Sequence, residues 1–105
     1  MPLTRDFKET VRARAQHDPA FRRELLREAV EAFITGDLET GKAILRDYIN
    51  ATVGFEELAH ATRKPPKSLM RMFGPRGNPN ASNLFEVLGY LQSKEGIHFD
   101  VRAQR

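Results

Sequence analysis

Five cations stand in one stretch of this chain with no carboxylate among them: Arg63, Lys64, Lys67, Arg71 and Arg76, between Leu58 and Phe85. The stretch carries +5, which leaves −2 for the remainder of a chain whose total is +3. A basic island on a near-neutral background is an electrostatic footprint for a polyanion. Other chemistry finds no such grouping. His17, His60 and His98 fall in separate elements without metal-ligand spacing, and no His-Glu-x-x-His pair occurs. Gly74-Pro75-Arg76-Gly77 lacks the Gly-Lys-Ser/Thr ending of a phosphate-binding loop. Glu56 and Glu57 are neighbours that point apart on a helix, so they make no acid/base pair. Met70 and Met72 suit helix packing and groove contact better than a cofactor box. With no cysteine there are no disulfides, thiolate zinc sites or cysteine nucleophiles. The expectation is a protein that is not an enzyme and holds no metal and no cofactor.

The elements that must position the island follow from length and patterning. A chain of 105 residues is enough for one domain of modest size, not for two cores. At 40% hydrophobic and 30% charged residues its composition is that of a soluble globular protein. No apolar run approaches the ~18 residues that cross a bilayer, and Met1-Pro2-Leu3-Thr4-Arg5-Asp6 lacks the regions of a signal peptide. Together with the absence of cysteine this suits a cytoplasmic location and no membrane partner.

Residues 1–17 are polar and charge-alternating, with scattered apolar positions such as Leu3, Phe7 and Val11, and read as a frayed or weakly helical arm. Residues 18–105 read as one domain. Asp18-Pro19 is an N-cap followed by proline at the first helical position. Phe21, Leu25, Ala29 and Phe33 then recur every four residues, with Leu26, Val30 and Ile34 widening the stripe, and Gly36 closes the helix. Asp37 caps a second helix, with Leu38, Gly41, Ile44, Leu45, Tyr48, Ile49 and Thr52 on one face. The short Thr-Gly-Asp connection makes the two an antiparallel hairpin. A third helix opens at Gly54, where Val53 and Leu58 form a hydrophobic staple. It stops before Pro65-Pro66. A fourth, short helix runs from Pro66 to about Phe73, and Gly74-Pro75-Arg76-Gly77-Asn78-Pro79 is a loop. Asn80 caps a fifth helix with Leu84, Val87, Leu88 and Leu91 inside. Beyond Gly96, Ile97, Phe99 and Val101 alternate with His98, Asp100 and Arg102, the period of a strand.

Phe55–Phe73 is therefore two short helices joined by a tight turn, with Ala59 small enough to let Leu58 and Leu69 meet. The pattern through Leu58, Ala59, Leu69, Pro79, Leu84, Val87 and Leu91 resembles helix-turn-helix proteins of the XRE (Cro/cI-like) class. More narrowly, Gly54-Phe55-Glu56-Glu57-Leu58-Ala59, Lys67-Ser68-Leu69-x-Arg71-Met72, Gly77-Asn78-Pro79 and Asn83-Leu84-Phe85 resemble the HigA-type antidotes of bacterial toxin–antitoxin modules, over about residues 20–102. The resemblance implies an all-α fold: a five-helix lambda-repressor-like DNA-binding domain, here with a short C-terminal β-strand. It also implies an antitoxin that neutralises a cognate RelE-like toxin and represses its own operon; the alternative is a free-standing, phage-like repressor. The family pattern prefers glycine in the turn, where this chain has Arg63. An arginine there costs on the order of 1 kcal/mol if left-handed, so a longer or reshaped turn is expected.

The second helix of such a unit lies in the major groove of double-stranded operator DNA. On it Lys67, Ser68, Met70 and Arg71 are expected outside, with Leu69 and Phe73 inside. Lys67 and Arg71, one turn apart, suit guanine O6 and N7; Ser68 suits a base or a phosphate. Pro66 starts the helix, Arg76 in the following loop suits a phosphate contact that sets register, and Asn78 in the same loop is counted among the DNA-binding residues. Lys64 suits a phosphate contact or a plain solvated turn. A unit of this size is expected to work as a homodimer on paired half-sites. The strand Ile97–Arg102 needs a partner, either its symmetry mate or an edge of the toxin. The arm and the first helix of the hairpin, with Leu26 and Val30 ringed by Arg22, Arg23 and Arg27, are a candidate toxin-binding face; the alternative assigns Leu26, Val30 and Ile34 to the core or the dimer seam.

Overall fold

Three helices begin where a short polar side chain accepts a backbone N–H three residues ahead. Asp18 accepts from Phe21 at 3.1 Å, Asp37 from Thr40 at 3.2 Å and Asn80 from Asn83 at 2.8 Å. Each bond satisfies an orphan donor of the first turn. In the computed structural model, which describes residues 5–105, the order is α1 (Arg5–His17), α2 (Pro19–Ile34), α3 (Leu38–Ala51), α4 (Gly54–Thr62), α5 (Pro66–Met72) and α6 (Ala81–Glu95). Among the described residues the protein is all-helical, with six helices rather than five. None of these helices is long and apolar enough to cross a membrane.

The additional helix is α1, in place of the expected arm; residues 1–4 of that arm lie outside the described residues. α1 packs on α2 and α3. Its contact is made by small or lone apolar residues: Ala15 is fully buried and Val11 half-buried. The Arg14 guanidinium lies over the Phe21 ring at 4.6 Å and approaches Asp18 at 3.5 Å, so α1 is held at its junction with α2 by cation–π and charge contacts.

Beneath this layer one apolar core is shared by the other five helices. Leu26 and Ala29 of α2 meet Leu45, Tyr48 and Ile49 of α3, Leu58 and Ala59 of α4, Leu69 of α5, and Val87, Leu88 and Leu91 of α6. At one end of this core sits Glu95, whose side chain is 6% exposed. It accepts from Arg22 Nε at 2.8 Å and from the Tyr48 hydroxyl at 2.7 Å, and Arg22 also donates to the Ala15 carbonyl at 2.8 Å. One carboxylate thus ties α2, α3 and α6, and through Arg22 reaches α1.

Burial, followed by the bond to Glu95, pushes the Tyr48 hydroxyl well above its ordinary pKa of 10.0. The raised value means that Tyr48 costs nothing while both folded and unfolded chains keep it protonated. Above about pH 10 the unfolded chain loses the proton first and stability falls as pH rises toward the folded-state value. Denaturant titrations between pH 8 and 12 should show this loss, and Tyr48→Phe should remove most of it.

α6 ends at Gly96, left-handed at φ 72°, with the Ile97 N–H donated to the Gln92 carbonyl at 3.0 Å. Phe99 then packs on the core and its N–H donates to Gln92 Oε1 at 2.9 Å. The expected strand Ile97–Arg102 is not formed: its alternation is present, but no second strand exists among the described residues to make a ladder.

Candidate nucleic-acid interface

The turn between α4 and α5 is as tight as a glycine turn. Arg63 adopts the left-handed conformation, φ 56° and ψ 40°, and both its N–H and that of Lys64 point to the Ala59 carbonyl. The expected reshaping therefore does not occur, and the arginine carries the cost of about 1 kcal/mol instead. Thr62 closes α4 by donating its hydroxyl to the Leu58 carbonyl at 2.8 Å. Pro65 is extended at ψ 139° and Pro66 takes the first position of α5, where its missing N–H is no loss.

Seven residues of α5 then divide by face. Leu69 is fully buried, with Phe73 just past the helix also buried, while Lys67, Met70 and Arg71 are exposed and Pro66 and Ser68 half-buried. Lys67 and Arg71 are four apart and share one side of the helix. Arg76 and Asn78 are exposed on the loop beyond it. Lys64 is half-buried and its ammonium lies 3.2 Å from Glu86 of α6, so folding brings an acid to the edge of a segment that contains none. Five of the expected side chains, Lys67, Met70, Arg71, Arg76 and Asn78, are thus free to meet a ligand across α5 and its loop.

What holds that loop in place is Lys42 of α3, a residue the sequence reading passed over. Its ammonium, 2% exposed, donates to the Gly77 carbonyl at 2.6 Å and the Gly74 carbonyl at 3.2 Å, with Glu39 at 3.0 Å. One helical turn on, Arg46 donates to the Phe73 carbonyl at 3.3 Å. Two cations of α3 therefore sit at the C-terminal end of α5, where the last carbonyls and the helix dipole favour positive charge. Gly77 is required at the closest approach: a Cβ there would lie 2.0 Å from the Arg71 carbonyl oxygen and 2.4 Å from that of Met72. A signal for Lys42 exists in the sequence, because it stands four after Leu38 and three before Leu45, inside the buried stripe.

The candidate toxin-binding residues fare differently. Leu26 is 0% exposed and belongs to the core, so it cannot be part of a docking face. Arg22 is committed to Glu95 and the Ala15 carbonyl, and Arg23 lies 3.9 Å from Glu95. Arg27 is exposed and bridges Glu24 at 2.6 Å and Glu31 along its own helix; hydrogen bonds to these two carboxylates raise its pKa further and hold Glu24 below the ordinary carboxylate range. Val30 is half-buried against the core. The phase of the stripe explains the error: Leu25 and Leu26 are 100° apart, and the inward direction passes closer to Leu26. Compared with protein-family models, with curated proteins and with solved structures, the chain matches none of them.

Proposed function

We propose that α4 and α5 are the helix-turn-helix of a lambda-repressor-like DNA-binding domain, and that the protein is an antitoxin that represses its own operon as a homodimer and neutralises a RelE-like toxin in the cytoplasm. The observation that carries the DNA reading is the division of α5: Lys67, Met70 and Arg71 exposed above buried Leu69, in a segment of +5 with no acid of its own. The reading is further supported by the left-handed turn at Arg63 that joins α4 to α5 and by the packing of the two helices on each other. The antitoxin half of the reading rests on the resemblance of the 54–59 and 67–85 blocks alone. A neighbouring reading frame for a small basic RelE-like protein distinguishes it from a free-standing repressor.

The deciding experiment is a gel shift with the chain's own promoter, with and without the toxin. Arg71→Ala should lose roughly 1–3 kcal/mol of operator binding and relax preference at one base position, because a bidentate guanine contact is lost. Arg76→Ala should weaken all sequences alike and make the slope of log K against log salt shallower by about one unit, the signature of a phosphate contact. If neither change moves operator binding, α5 is not the reading element.

A further inference from the structure

Three of the large apolar side chains that the fold leaves in water gather on one hollow. Ile34 at the end of α2 is 60% exposed, Phe85 on the first turns of α6 66% and Val101 in the segment after α6 76%. They line a hollow of about 470 Å³ together with Phe33, Leu84 and Phe99. Beside it runs a chain segment that alternates apolar and polar residues without interruption from Ile97 to Gln104: Ile97, Phe99, Val101 and Ala103 against His98, Asp100, Arg102 and Gln104. Ile97 and Phe99 both turn their N–H groups inward, to the Gln92 carbonyl and side chain. In an extended segment the N–H and C=O groups of successive residues alternate sides, so a 97–104 segment that pairs as a strand would offer the groups of His98, Asp100 and Arg102 to its partner. Among the described residues no strand pairs with this segment, which leaves it open to an added one.

We propose that this edge and hollow are covered by a second copy of the chain, the two 97–104 segments pairing antiparallel about a two-fold axis at Val101. The assignment rests on the dimeric reading above and specifies its seam. The segment's own charges select the register. A two-fold pairing must place even residues opposite even residues to use the outward groups. An axis at Asp100 sets Asp100 against Asp100 and His98 against Arg102, and an axis at Arg102 sets Arg102 against itself; like residues directly opposed disfavour both. An axis at Phe99 is cut short by Gly96, which is left-handed and ends α6. Only the axis at Val101 sets Asp100 against Arg102 twice, lets the ladder run from His98 to Gln104, and brings the exposed valine onto its own mate. A two-fold contact of this kind is isologous, each copy offering the same patch to the other.

The native chain has no cysteine, so single thiols report the register directly. In the proposed register residue 101 is a non-hydrogen-bonded pair with its mate, Cα atoms about 4.5 Å apart, within disulfide reach. Residue 103 lies opposite residue 99, so its two copies are four residues out of step, roughly 14 Å apart. Mild oxidation should convert most of Val101→Cys to covalent dimer and little of Ala103→Cys. Both positions are exposed, so neither change threatens the fold. Sedimentation of the unmodified protein and of Phe85→Asp, read in parallel, should show a dimer for the first and at least a tenfold weaker one for the second. A native dimer in which Val101→Cys fails to crosslink, or Ala103→Cys crosslinks equally, overturns this seam and leaves the dimeric reading standing. A monomer at high micromolar concentration overturns both.

Discussion

Lys42→Met should lower the unfolding free energy by roughly 1–3 kcal/mol, because two half-buried backbone carbonyls lose the charged donor that satisfies them. Methionine keeps the packing of the stem, so the loss reports the ammonium and not a cavity. The two carbonyls belong to Gly74 and Gly77, thirty-two and thirty-five residues along the chain. The bonds therefore do more than stabilise α3: they set the height of the loop that carries Arg76 against the end of α5. Urea melts of Lys42→Met should show a lower midpoint, and on the DNA-binding reading proposed above its operator affinity should fall even at temperatures where the variant is fully folded. Glu39→Gln is the matching control. The Glu39 side chain is 70% exposed, and a pair with one partner in water contributes little, so its melt should stay close to that of the native protein. If Lys42→Met melts like Glu39→Gln, the loop is held by packing alone.

Leu26→Ala should cost about 2–5 kcal/mol, the range for emptying a fully buried leucine site. For a domain of this size that is a fall of roughly 10–25 °C in Tm. Any loss of toxin neutralisation in such a variant is then a loss of folded protein. Arg27→Ala makes the comparison clean: its partners Glu24 and Glu31 are exposed neighbours on the same helix, and the melt should hardly move. A toxin-binding role for α2 is therefore tested at Arg27 and not at Leu26. Thermal melts that place both variants together would mean that Leu26 is less enclosed than its burial implies.

What could be read from the residues, and what could not, divides by sequence distance. The caps at Asp18, Asp37 and Asn80 are contacts between residues three apart, and the stops at Pro65 and Gly96 act on their own backbone, so each was visible locally. The exposed side of α5 was visible too, since Leu69 fixes the phase of a seven-residue helix. For Lys42 only its burial is marked, by its place in the stripe of α3; its partners are not, because they are carbonyls, which every residue carries. Glu95 was hidden for a similar reason: it closes α6 like any surface glutamate, and only the arrival of Arg22 and Tyr48 from far upstream makes it an internal group. α1 was misread because its contact is made by Ala15 and Val11 amid charges, too sparse a stripe to register as a packed face. The alternation after Gly96 was seen correctly, yet a strand is a property of two segments.

Arg63 shows where this fold has been left short of its best. A glycine in that corner would relax the backbone at once, and the left-handed geometry asks for one. The arginine holds the same turn under strain and in exchange presents a fifth cation beside Lys64, on the approach to α5. Residues kept in unfavourable conformations tend to mark places where function outweighs folding. On the DNA-binding reading proposed above, the chain gives up stability at this corner to keep a charge, and its most stable and its tightest-binding sequences would then be different molecules.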